Sequence, residues 1–384
     1  MLFIKQLLFR QLSIGVAKTF VIATLAIFST TGTINQSNYA SDIKFLEIGL
    51  TDAPKVATLT AEDLFNQGLD KQKKGDLRGA IAAYTEAIRL NPNYALAYSN
   101  RGVARSELGD KKGAIEDYNQ ALRINPNDAL AYFNRGVIRA EFGDKKGAIE
   151  DYNQALQINL NYAEAYGNRG NARTQLGDKK GAIEDYNQVL RINPNDALAY
   201  FNRGIARTQL EDKKGAMEDY NQAVRINPNY AQAYYNRGVL RTEFGDKKGA
   251  MEDYNQVLRI NPNYASAYYN RGVLRTELGD KKGAMEDYNQ VLRINPNDAE
   301  AYSNRGVIRF ELGDKKGEIE DYNQALRINP NDAQAYYNRG NARAELGDKK
   351  GAITDLQQAA DIFKQQGKIQ ESQKALEIIK QLQK

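Results

Sequence analysis

From Ala61 onward, apolar residues recur at three- and four-residue spacing, the pattern of helices buried along one face, and this pattern breaks at regular intervals. In the stretch Ala231 to Tyr264, taken as the reference unit, the first half runs through Phe244 and the second from Lys247 to Ile260, divided by Gly245-Asp246. Gly245 is placed to end the first helix in a left-handed cap, and Asp246 to cap the second. Asn-Pro-Asn then closes the second helix, because proline cannot continue it. The unit is predicted to be a helical hairpin. It repeats with a period of 34: Pro92, Pro126, Pro194, Pro228, Pro262, Pro296 and Pro330 share one register, with Leu160 at the one place lacking proline. A period of roughly 20 to 50 residues marks a solenoid or array.

The unit resembles a tetratricopeptide repeat, a match carried by Tyr234, Gly238, Ala250, Tyr254 and Pro262. Eight successive units keep the register from Ala95 to Ile362. A degenerate first unit, Ala61 to Leu90, retains Gly68, Ala80 and Tyr84 and opens with the capping-box-like pair Thr60 and Asp63. Beyond the ninth unit, Gly367 separates an extended helix from "IQESQKALEIIKQLQ", the amphipathic end helix that covers the last face of such an array. The expected organisation is an N-terminal signal-like segment (1–40), a linker (41–56), nine repeats (57–362) and a C-terminal capping helix (363–384). The resemblance implies an all-α, right-handed superhelical solenoid. Its first helices are expected to line a concave groove that holds a peptide or a partner's segment.

At about 100° per residue, Ala233, Tyr234, Leu240, Arg241 and Phe244 fall near Arg237 and define the face packed on the second helix. Gln232, Tyr235, Asn236, Val239, Thr242 and Glu243 lie opposite, on the expected groove stripe. Variation between units concentrates there: Tyr235 aligns with Ser99, Phe133, Gly167, Phe201, Tyr269, Ser303 and Tyr337. Asn236 is the exception, recurring as Asn66, Asn100, Asn134, Asn168, Asn202, Asn270, Asn304 and Asn338. A carboxamide both donates and accepts, so a row of them can pair with the backbone of an extended peptide without reading its sequence. This row resembles the asparagine ladder of some peptide-binding tetratricopeptide superhelices; the competing reading is that each asparagine bonds the neighbouring repeat. Phe133, Phe201, Tyr235, Tyr269 and Tyr337 would add apolar contact, and Glu243-type residues would favour a ligand with some positive charge. The basic residues that a chaperone-binding carboxylate clamp requires are not on this stripe.

Arg237 and Arg241 stand where the family usually has leucine and an aromatic, at the centre of the packed face, and a buried arginine needs a partner. Asp253 is the expected one, since the first unit loses the arginine to Gln67 and the acid, in the Asp253 register, to Ala83. The recurring Lys247-Lys248 pair reads as a solvated edge, because no aromatic is interleaved with it as nucleic-acid binding would require.

Composition narrows the chemistry. The 384 residues include no cysteine and no histidine, which removes disulfides, thiolate nucleophiles, imidazole bases and zinc sites of the usual ligands. No non-repeat segment of catalytic size remains, so an enzyme is not expected and no cofactor is called for. The 53 basic and 48 acidic residues are interspersed, and a net charge of +5 does not point to nucleic acid. Lys5, Arg10 and Lys18 precede "FVIATLAIF" (20–28) and then small residues up to Ala40, the order of a secretory signal. Export to the periplasm or medium of a bacterium is therefore expected, with an uncleaved membrane anchor as the alternative. The partner is expected to be a protein or peptide, with a spacer that binds nothing in its groove as the competing function.

Overall fold

Each hairpin is set by a short turn with three local devices, shown here by the sixth repeat. Its first helix, α11 (Ala231–Glu243), ends at Phe244, and Gly245 follows at φ 81°, a backbone region where only glycine escapes a steric penalty. Asp246 then accepts a hydrogen bond from the Gly249 N–H and caps α12 (Lys247–Ile260). Asn261 closes α12, and its side chain accepts from Asn263 N–H to start the next turn.

The protein is a computed structural model in which residues 59–384 are described, and among these are nineteen helices and no strand. The signal-like segment, the linker and residues 57 and 58 lie outside the described residues. Eighteen helices form nine hairpins, from α1 (Ala61–Lys73) with α2 (Leu77–Leu90) to α17 (Ala333–Glu345) with α18 (Lys349–Gln365). The closing helix, α19 (Ile369–Leu382), packs on α18 through Ala375 and Ile379, against Leu356 and Ala360. The expected boundary at 362 falls inside α18, because nothing stops that helix before Gln366 and Gly367. Thr60 and Asp63 form the capping box of α1.

Each hairpin packs on the next, and first helices also touch one another: α5 (Ala129–Glu141) meets α7 (Ala163–Leu176), which meets α9 (Ala197–Gln209). The core of a repeat is small. Tyr254, about 1% exposed, lies against Gly238, where an added Cβ would come within 2.9 Å of the ring. Glycine is therefore what lets the two helices approach.

One turn departs from this plan. Glu211 stands where other repeats have glycine and takes φ 63°, the one positive-φ non-glycine residue among those described. The left-handed region costs a side-chain-bearing residue roughly 1–2 kcal/mol, partly offset by the entropy glycine loses on folding. Glu211→Gly is expected to stabilise the array by about 0.5–1 kcal/mol; an unchanged urea midpoint would show that the turn is not strained.

Candidate partner-binding face

The arginines of α11 organise the hairpin from within. Arg237 donates to both Asp253 oxygens, Nε at 2.9 Å and Nη2 at 2.5 Å. Its guanidinium also lies 5.2 Å from the Tyr234 ring centroid. Arg241 reaches the same carboxylate at 3.0 Å and donates to the Gly249 carbonyl. Asp253, about 1% exposed, thus serves two arginines, a pairing repeated at Asp117, Asp151, Asp185, Asp287, Asp321 and Asp355. The sequence reading named Asp253 but missed the third contact: Arg237 Nη1 donates to Asn221 of the preceding repeat at 2.9 Å. Equivalent bonds join Arg135 to Asn119, Arg271 to Asn255 and Arg339 to Asn323.

The aligned asparagines are tied to their neighbours. Asn236 Nδ2 donates to the Tyr220 hydroxyl of the preceding repeat at 3.5 Å, and Asn338 Nδ2 to the Tyr322 hydroxyl at 3.0 Å. Asn270 donates to two phenols, Tyr235 at 3.2 Å and Tyr254 at 3.4 Å, and Asn304 to Tyr269 at 3.0 Å. Asn134 bonds Tyr118. Asn202 donates to Asn171, whose oxygen also accepts from the Tyr186 hydroxyl. Asn100 instead bonds the Leu96 carbonyl of its own helix. Asn66 is exposed and Asn168 half-buried. Burial pushes the Tyr220 hydroxyl up to about 12, against the hydrogen bonds from Thr208 and Asn236, so it remains a neutral partner.

The five aromatics fill seams between helices. Phe133 lies 6.0 Å from Tyr152 and 4.8 Å from Tyr162, the N-cap residue of the next repeat; Phe201 repeats this with Tyr220 and Tyr230, and Tyr235 with Tyr254 and Tyr264. Tyr269 meets Tyr288, and Tyr337 meets Phe363. All five are half-buried, so each offers a ring edge rather than a free side chain.

Three assignments from the helical wheel are corrected. Phe244 is about half exposed, because it caps α11 where the chain already turns away from the second helix. Val239 is 8% exposed rather than open to the groove, whereas its equivalents Val103, Val137, Ile205, Val273 and Val307 are half-buried. Glu243 is not available to attract a cation: Lys213 of the preceding repeat holds it at 2.9 Å. The same staple joins Lys111 to Glu141, Lys247 to Glu277 and Lys281 to Glu311. A single-helix wheel does not contain partners thirty residues apart, so it shows the first lysine of each Lys-Lys pair only as a solvated edge.

A pocket of about 450 Å³ opens where repeat 8, α15 (Ala299–Glu311) with α16 (Lys315–Ile328), meets α17. It is walled by Val307, Phe310, Ala342 and Ala344. Glu318 lies in it, at the register where Ala250, Ala284 and Ala352 are fully buried. The signal was present in the sequence as "KKGE" among repeated "KKGA".

Among curated proteins, none matches the chain. Solved structures do. The C-terminal part of a TPR repeat-containing protein from Cytophaga hutchinsonii is 18% identical at a TM-score of 0.54, covering 62% of this chain and 98% of that one. YrrB, a TPR protein with an unusual peptide-binding site, is 23% identical at 0.46, covering 49% and 97%. MamA is 26% identical at 0.41, covering 45% and 94%. The family profile described as "Tetratricopeptide repeat" matches residues 65–129, 104–164 and 333–366. The one described as "TPR repeat" matches 170–210, 206–243, 241–279, 274–313 and 317–347. Hairpins of constant length, glycine-tyrosine helix contacts and these matches agree: the chain belongs to the tetratricopeptide repeat family, as an all-α superhelical solenoid.

Proposed function

We propose that the array is a non-enzymatic protein-interaction scaffold that holds an extended peptide or partner segment along the face of its first helices. The observation that carries this reading is the asparagine row. In Asn270 both N–H groups are directed at phenols of the array, which leaves the carbonyl oxygen as its offer to a ligand. Asn338 differs, its oxygen already accepting from Gln334, but an oriented acceptor such as that of Asn270 suits an N–H group of an extended backbone. Edges of Phe133, Phe201, Tyr235, Tyr269 and Tyr337 border the row and supply apolar contact. A chain without histidine or cysteine fits this role better than catalysis.

The second reading, a spacer with no ligand in its groove, draws on the same bonds, because they also hold repeats together. Peptide-library capture separates the two. Three lost hydrogen bonds at about 1 kcal/mol each are expected to weaken retention on the order of 100-fold in Asn202→Ala/Asn236→Ala/Asn270→Ala. Equal retention by the parent and the triple variant, both verified as helical, would sink the ladder. Export through the N-terminal segment is part of the proposal; full-length protein in the membrane fraction would favour the anchor instead.

A further inference from the structure

Glu318 is the one glutamate of the described residues that is fully buried, at 3% exposure, and its Oε2 has no hydrogen-bond partner. The neighbouring carboxylates are engaged: Glu311 with Lys281 at 3.3 Å, and Glu345 with Lys315. On the polar side of the pocket the Tyr322 hydroxyl accepts from Asn338, and Asn341 also lines the pocket. The equivalent of Asn341 in repeat 4, Asn171, is bonded by Tyr186, but repeat 9 has Leu356 in place of that tyrosine. The pocket therefore combines an apolar wall with an unpaired carboxylate at its floor.

We infer that this pocket takes a lysine side chain of the bound partner segment, its aliphatic stem along Val307, Phe310, Ala342 and Ala344 and its ammonium on Glu318. Long basic side chains bury their stems on apolar surface while the charged end finds a partner. A single orphaned oxygen suits one ammonium N–H; a guanidinium is best met by two oxygens in a fork. A hard divalent cation would want several oxygen ligands converging on one point, and no such cluster of three acidic side chains is present among the described residues. The inference rests on this face being the partner-binding one, but not on the asparagine row. Burial and the nearby Glu345 and Asp314 push the Glu318 carboxyl up to about 7, with Lys315 opposing, so an entering ammonium also relieves an unfavourable charge.

The test is methyl NMR of the full chain, following Val307, Ala342 and Ala344, with terminally blocked Gly-Lys-Gly and its norleucine counterpart as probes. Saturable shifts with the lysine peptide are expected, at least tenfold weaker with norleucine and in Glu318→Ala. Alanine is the residue of the eight other repeats at this register, so that variant keeps the fold; Glu318→Gln removes the charge and keeps the shape. Equal response to both peptides, or an undiminished response in Glu318→Ala, overturns the site. A free polyamine carries the same chemistry, and a stronger response to spermidine than to Gly-Lys-Gly overturns the assignment to a partner. The asparagine triple variant should keep the lysine response, which separates failure of the ladder from failure of the pocket.

Discussion

Asp253→Ala is expected to cost about 3–5 kcal/mol, because it leaves two guanidinium groups packed against the second helix without their shared anion. The double pairing changes what a rescue experiment should show. Exchanging Arg237 and Asp253 restores one pair but places an arginine at 253 beside Arg241, so the exchanged protein should recover only part of the loss. Full recovery is expected when Arg237 and Arg241 become leucine and methionine in the Asp253→Ala background, since an apolar set of similar volume often matches a buried ion pair. Urea unfolding followed by circular dichroism reads the order: Asp253→Ala lowest, the exchange intermediate, the apolar triple near the parent. An exchange variant as stable as the parent would mean that Arg241 contributes little to this anion. In a repeat array the loss is local, so amide exchange around Tyr254 should rise before that of distant repeats.

Glu318→Ala should act in the opposite direction and depend on pH. The folded carboxyl titrates at about 7, above its ordinary value of 4.5. The fold therefore binds the proton more tightly than the unfolded chain does. The resulting stabilisation is complete below about pH 4.5, is lost as pH rises toward 7, and is level above. A shift of this size corresponds to about 3 kcal/mol. Glu318→Ala is thus expected to exceed the parent by about that amount at pH 8, with the difference shrinking steadily towards pH 4.5. Urea midpoints at pH 4.5, 6 and 8 check this; parallel pH profiles for the two proteins would show that Glu318 does not titrate as the buried group described.

The fold was legible because its signals are local: Gly245, Asp246 and the periodic prolines act within a few residues of themselves. The Arg237–Asp253 pair was also readable, from the joint loss of both partners as Gln67 and Ala83. What a single unit could not reveal lies between units. The hydroxyls that accept from Asn236 and Asn270 and the Lys213–Glu243 staple all depend on how far one hairpin is rotated on the next. The aromatic row was expected to offer free apolar contact, but the rings of Phe133, Phe201 and Tyr235 are shared with the following N-cap tyrosines. Glu318 was visible as a departure from the repeat, yet its meaning needed the neighbours that leave its oxygen alone.

The junctions between hairpins also bear on how the array responds to damage. Helices α12 and α14 (Lys281–Ile294) have identical sequences, and α11 differs from α13 (Ala265–Glu277) only at its second residue. A hairpin whose neighbour has melted meets nearly the same surface one repeat further on. The flanking segments can therefore re-anneal across a looped-out unit, with a closure entropy that grows only slowly with loop length. Slippage by whole repeats, familiar from repetitive polymers, thus becomes a way for this solenoid to stay continuous when one of its units is lost.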